Sequence, residues 1–285
     1  MAELPAFDPR ARTLAAPPLD VLGSFERIAF RVMRWANVGA GARLGLSWQH
    51  YILEPLFGLL VFRRLVVRGL ERLESLPRDA SVLLVANHRT FFDLFILGWI
   101  LVRRWRKRWR PSFPVRANFF YENPAGLLIC LLLSGGSMFP PFFRKPRSKA
   151  FNRFSLAIVL DKLRRPGNLI GFHPEGTRNK GPDPYQLLPA QPGAGEVALK
   201  ARPVVVPAFI NGLSNKLWRE VVANVRGRDP IVAVFGEPID LSAFPAETRL
   251  AHHKRCSDLF CARITALMDE EKRIRGEEEK RIRGA

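Results

Sequence analysis

Ser81-Val82-Leu83-Leu84-Val85-Ala86-Asn87-His88-Arg89-Thr90-Phe91-Phe92-Asp93 is an apolar run that breaks abruptly into polar residues. Pro77-Arg78-Asp79 bounds the run on its other side, so Ser81–Ala86 reads as a buried strand. Phe91–Trp105 then has the length and apolar content of a helix, giving a strand–turn–helix unit. Similar units lie on both sides. Leu65–Arg68, Asn168–Phe172, Pro203–Ile210 and Ile231–Phe235 read as strands, with shorter ones near Phe113–Arg116 and Ser137–Phe139. Ser148–Arg165 carries Phe151, Phe154, Ile158 and Leu163 at helical spacing and stops at Pro166-Gly167. Strands alternating with helices predict an α/β fold, a single mixed, mainly parallel sheet flanked by helices.

Two further helices precede the sheet, Ser24–Val38 and Leu46–Phe62, joined by Gly39-Ala40-Gly41. A charged helix follows it from Thr248, ending in EEKRIRG at 270–276 and again at 278–284; its expected role is a solvated helix. The 285 residues contain 45 Lys+Arg against 26 Asp+Glu, a formal charge of +19. Such a balance points to a polyanionic partner, either a nucleic acid or an anionic membrane surface. Cys130, Cys256 and Cys261 form neither a disulfide framework nor a metal-site spacing and fit a reducing compartment. Residues 1–20, with four prolines and no apolar core, read as a flexible leader rather than a secretory signal.

Three apolar stretches fall short of a clean transmembrane helix: Leu46–Phe62, Phe91–Val102 and Pro124–Phe143. Each is either a buried core element or a segment lying in the bilayer surface. Their basic flanks favour the second: Arg31 and Arg34, Arg63-Arg64, and the octet Arg103–Arg110, which holds six cations and two tryptophans. On that reading these segments lie in the bilayer surface, Leu46–Phe62 of them before the α/β domain.

Chemistry is expected where strands end. After the first quoted strand, His88 and Asp93 are spaced so that a strand-to-helix turn can bring the carboxylate to one ring nitrogen, leaving the other as a base. On these residues alone, a satisfied histidine at a strand end is an equal alternative. His253 and Asp258 repeat the spacing inside a predicted helix, where i and i+5 diverge, and read as a decoy. After Asn168–Phe172 comes His173-Pro174-Glu175-Gly176-Thr177-Arg178-Asn179, a forced turn holding Glu175 and Arg178 close. The arginine fork suits phosphate oxygens, and a structural Glu–Arg pair closing the loop is the alternative.

Together these segments resemble the glycerophospholipid acyltransferase family. Asn87, His88 and Asp93 match its Asn-His-x4-Asp block, and Pro174-Glu175-Gly176-Thr177-Arg178 its Pro-Glu-Gly-Thr-Arg block. Gly136 to Arg144 matches the block that ends in an arginine, and Val205-Val206-Pro207 the last block. His173 stands where the family usually has Phe, Asn179 where it has Ser, and Gln191 where a Lys is common.

The resemblance implies an acyltransferase domain over 64–242, preceded by an N-terminal membrane-seating pair of membrane-associated helices at 21–63 and followed by a charged tail at 243–285. It implies that His88 deprotonates the hydroxyl of a lysophospholipid, 1-acylglycerol-3-phosphate first among candidates, while Asp93 orients the imidazole. The alkoxide would attack an acyl-CoA or acyl carrier protein thioester. Glu175, Gly176, Thr177, Arg178 and Arg144 would hold the head group, with no metal and no cofactor beyond the donor. The implied location is the cytoplasmic face of a membrane, peripheral or monotopic. Another lipid acceptor, an inactive membrane scaffold and a nucleic-acid-binding protein are the alternatives; the last would leave both strand-end motifs without a purpose.

Overall fold

The computed structural model describes residues 16–77, 79–105, 109–227 and 229–283. Its helices are α1 (Ser24–Trp35), α2 (Gly39–Trp48), α3 (Glu54–Val61), α4 (Asp93–Trp105), the single turn α5 (Ala117–Phe120), α6 (Pro124–Ser134), α7 (Lys149–Arg164), α8 (Pro192–Ala201), α9 (Leu217–Arg226) and α10 (Leu250–Arg283). The strands are β1 (Leu65–Arg68), β2 (Val82–Ala86), β3 (Arg110–Ser112), β4 (Val115–Arg116), β5 (Pro141–Phe142), β6 (Asn168–Phe172), β7 (Val204–Asn211) and β8 (Ile231–Phe235).

Six strands form one sheet in the order β1-β8-β7-β2-β6-β3, and β4 pairs β5 separately. Every adjacent pair is parallel except β7 with β8. β2 lies near the centre, where alternate side chains enter two cores. Val82, Leu84 and Ala86 face a core built with α1, α3 and α4, while Leu83 and Val85 face α7, α8 and α10. Burial on both sheet faces explains why the strand is a continuous apolar run rather than an alternating one.

The N-terminal helices differ from expectation. α1 stops at Trp35, and the joint is residues 36–38; Gly39 and Gly41 begin α2. Gly41 is needed there because a Cβ would lie 2.1 Å from the Trp35 carbonyl oxygen. The helical path then runs through a π-helical turn at Gln49–Leu53, which carries it into α3 with Pro55 in the first turn, where the missing N–H costs nothing. Ala29, Phe30 and Met33 of α1 and Phe57 and Val61 of α3 belong to the main core. These helices are thus part of the α/β body rather than a separate seat. None of the described helices is long and apolar enough to cross a membrane.

Three other expectations change. Of the strand read near Phe113–Arg116 only Val115–Arg116 forms, as β4 of the small sheet, while β3 lies just before it and joins the main one. The strand expected at Ser137–Phe139 starts later, at Pro141. The charged tail is not a solvated helix. α10 packs on α8 and buries Cys256, Phe260, Ile264, Met268 and Ile274 along one face. The octet is only partly visible, because residues 106–108 lie outside the described residues; Arg103 lies over the Trp99 ring at 5.8 Å.

Candidate active site

Asn87 ends β2 by acting as a substitute peptide. Its amide donates to the Ile210 carbonyl (2.8 Å) and accepts from the Ile210 N–H (2.9 Å), tying the strand end to β7. The chain turns at His88 and enters α4 at Asp93, which is almost wholly buried. Asp93 Oδ2 accepts the backbone N–H groups of Arg89 and Thr90, both at 2.7 Å, and Oδ1 accepts the Thr90 hydroxyl. This closes the turn and brings Asp93 Oδ2 to 3.4 Å from His88 Nδ1. A carboxylate facing Nδ1 favours the tautomer with its proton there, leaving Nε2 as the base.

The second strand end folds onto the first. The His88 N–H donates to Glu175 Oε1 (2.8 Å), and the His88 carbonyl accepts from the Asn179 N–H (2.8 Å). Glu175 is 2 % exposed, and its other oxygen accepts the Leu188 N–H at 2.8 Å. Burial raises the Glu175 pKa, opposed by those two N–H groups. Gly176 holds φ +65°, so the turn after Glu175 suits a residue without a Cβ. Asn179, in the place of a serine, accepts from the Gly181 N–H and donates to the Gln186 carbonyl, folding the following loop.

His173 lies flat against His88, with ring centroids 3.6 Å apart and planes 5° from parallel. Its Nδ1 donates to the Ala86 carbonyl at 3.0 Å. Both imidazoles are pushed down to about 3. For His88 the causes are burial first, then the Arg178 and Arg116 charges; for His173, burial and then His88. Burial raises Asp93, opposed by His173 and the Thr90 and Arg89 bonds. The site therefore holds neutral imidazoles beside a ring of arginine charge.

His88, Asp93 and His173 each offer a ligand atom within 4.8 Å of the others. The arrangement does not fit a shared metal ion. A bound metal lies near the plane of each ligating ring, and two stacked parallel rings share no such plane. His173 Nδ1 and both Asp93 oxygens also already hold protein hydrogen bonds.

The remaining residues named from sequence frame the mouth. Arg178 is exposed and donates to Asn215 Oδ1 at 3.3 Å; with Arg89, Lys180, Ser214 and Asn215 it lines a cleft of about 330 Å³. Thr177 is exposed beside it. Arg144 follows β5 and acts electrostatically on Arg116, whose pKa is lowered by burial and by that charge. The Arg116 guanidinium bonds the Gly176 carbonyl. Sequence reasoning passed over Arg116, although it ends a predicted strand, and treated His173 only as a departure. The decoy pair stays apart: His253 contacts Thr248 at 2.9 Å, and Asp258 pairs with Lys254.

The family model described as Acyltransferase matches residues 64–211, 148 of the 285 residues, and spans both strand-end motifs, Arg116 and Arg144. The chain belongs to the acyltransferase family. This family contains the glycerophospholipid acyltransferases. No curated protein sequence matches the chain. Both strand ends of this acyltransferase, and the loop that joins them, fall inside the matched segment, whereas α1, α9 and α10 fall outside it.

Proposed function

We propose that this acyltransferase moves a fatty acyl group from an acyl-CoA or acyl carrier protein thioester to the hydroxyl of a lysophospholipid, with 1-acylglycerol-3-phosphate as the leading acceptor. The observation that carries the reading is the neutral His88, backed by Asp93 and facing the Arg116–Arg178 charge. Nε2 accepts the acceptor's hydroxyl proton as its oxygen attacks the thioester carbonyl. The thiolate then leaves and takes that proton back from His88. The imidazolium in between is paired with Asp93.

Arg178, Arg116 and Arg144 supply guanidinium groups to a phosphate head group, and Thr177 a hydroxyl. Glu175 is assigned differently from the sequence expectation: with each oxygen held by a backbone N–H, it positions His88 rather than contacting the head group. Gly176 supplies the turn. The reading needs no metal and no nucleic acid.

An acyl chain has a place to go. A cavity of about 900 Å³ lies between the π-helical turn and α4, walled by Leu53, Phe57, Phe95, Trp99 and Phe113. Phe91 contacts Phe95 (5.3 Å) and Phe95 contacts Phe113 (5.1 Å), an aromatic path from the catalytic turn to the cavity wall. Exposed Trp35, Tyr51, Ile52, Leu59 and Phe62 on the N-terminal helices support association with an anionic membrane surface.

The test is thiol release from acyl-CoA by purified protein, with and without lysophosphatidic acid, beside His88→Ala. Acceptor-dependent release lost in the variant is expected. Release equal in both proteins would refute the assignment; activity only with another lysolipid would reassign the acceptor.

A further inference from the structure

α9 is amphipathic in the wrong sense for a surface helix. Its inward residues are polar: Glu220 and Asn224 are 4 % and 5 % exposed. Its outward residues are apolar: Trp218 is 74 % exposed and Val225 68 %, with Val221 between them at helical spacing.

The inward polar groups are fully engaged. Glu220 Oε2 accepts Arg64 Nη1 at 2.9 Å, and Oε1 accepts the Ser214 N–H at 2.8 Å. Asn224 accepts the Arg63 N–H and donates to the Leu59 carbonyl. Those two bonds hold α9 against the end of α3, whose Leu56, Leu59 and Phe62 are also exposed. Two helices far apart in sequence thus carry exposed apolar residues side by side, with α9 tied to Arg64, just after α3, by a buried ion pair.

We infer that α9 is a second membrane-docking element, seating in the headgroup region of an anionic bilayer beside α3. Charge selects this occupant. Arg63, Lys216, Arg219 and Arg226 rim the surface, and none of them enters an ion pair among the described residues. An apolar stripe with a tryptophan and a cationic rim matches the boundary between anionic headgroups and acyl chains. A second copy of the chain would bring the same cations against one another.

The element is also wired to the site. Asn215, two residues before α9, accepts the Phe91 N–H (2.8 Å) and Arg178 Nη1 (3.3 Å). Seating α9 therefore sets the cleft mouth at headgroup level. The inference rests on the lipid-acceptor reading for its purpose, but its geometry stands apart from it.

The test uses the full chain and vesicles of equimolar phosphatidylglycerol and phosphatidylethanolamine. Trp218→Ser, Val221→Ser and Val225→Ser are combined in one variant; because all three residues are exposed, its thermal melt should match wild type. Affinity for the vesicles, measured in high salt, should fall about tenfold or more. In wild type, vesicles with brominated acyl chains should quench a share of the tryptophan emission that is missing in Trp218→Phe. This second measurement does not depend on the triple variant folding. Turnover of a short-chain acceptor dissolved below its micelle concentration should be equal in wild type and the triple variant. Equal vesicle binding, or no quenching tied to Trp218, would overturn the docking role while leaving the catalytic reading intact. A wild-type oligomer that the triple variant dissociates would overturn it in favour of a protein occupant. Absent turnover in both proteins, with the binding difference retained, would sink the acyltransfer reading alone.

Discussion

Glu175→Gln separates two roles for the acidic residue of the second motif. Glu175 bridges the His88 and Leu188 N–H groups at 2.8 Å each while 2 % exposed. Glutamine keeps the shape but offers one acceptor oxygen where two are needed, so its NH₂ must face one of the N–H groups. A charged hydrogen bond is worth ~1.5–3 kcal/mol, and a buried unsatisfied donor costs ~1–3 more. Neutralising a carboxylate whose pKa burial has raised returns part of that. A net loss of about 2–4 kcal/mol remains, or on the order of 3–7 °C in Tm for a chain of this size.

With the glutamine NH₂ turned to His88 its N–H is freed, and turned to Leu188 the bridge is broken at its other end; either way the base shifts relative to its target. A displacement of about 1 Å costs on the order of 100-fold in rate. Steady-state kinetics should show kcat down about 10–100-fold with the acceptor KM near wild type, and Glu175→Ala should be worse on both counts. A raised acceptor KM with unchanged kcat and Tm would refute the positioning argument and return Glu175 to the head group.

His88→Ala should remove most turnover, roughly 10²–10⁴-fold, and Asp93→Asn should also be severe, while His253→Ala should be near neutral; equal losses at His88 and His253 would discredit the choice of base. Arg178→Ala and Arg116→Ala should each raise the KM of a phosphate-bearing acceptor by one to two decades. Lysine should restore only part of this for want of the fork; kinetics varying each substrate in turn would expose a donor-side role instead. Since His88 and His173 are both pushed down to about 3, the unfolded chain binds more protons than the folded one just below pH 6.5. Stability should therefore fall with acid from about pH 6.5, at up to ~1.4 kcal/mol per pH unit for each imidazole. Denaturant melts between about pH 6.5 and 5.5 should show a shallower slope in His173→Phe than in wild type. An unchanged slope would mean that the stacked ring is not the cause.

The strands legible in sequence are the apolar runs closed off by turns. β1, β6 and β8 match their expected bounds because apolar runs between turn residues admit one reading. α8 has no counterpart in the sequence reading; its first turns hold Pro192, Gly193 and Gly195, which are weak helix formers. Gly195 instead sits where a Cβ would lie 2.0 Å from the His253 carbonyl oxygen, so it is the price of packing α8 on α10. α10 was misjudged because charge count masked its stripe at Cys256, Phe260, Ile264 and Met268. Its two EEKRIRG copies begin eight residues apart, about 80° out of phase on a helix, so they cannot share a face. The first copy buries Glu271 and Ile274, whereas the equivalent residues of the second copy do not appear among the buried residues. In the site, His88, Asp93 and Arg178 could be found because motif spacing encodes them. The inward turn of Glu175 and the approach of Arg116 depend on how two strand ends meet, and spacing does not carry that.

The stacked His173 explains how the site can combine a base with a ring of arginines. A lone exposed imidazole with a carboxylate partner would gain protons near neutral pH and cease to be a base. Here one face of His88 is covered by a ring held neutral by its own burial, against the opposing pull of the Ala86 carbonyl. Arg178 and Arg116 add a further bias against the imidazolium. That bias is removed when a phosphate occupies the arginines, because the head group cancels their charge beside the ring. An anionic acceptor held by the arginines would therefore raise the proton affinity of His88 as it arrives, strengthening the proposed base. A neutral acceptor leaves the arginine charge uncancelled, and for such an acceptor the same histidine is the weaker base.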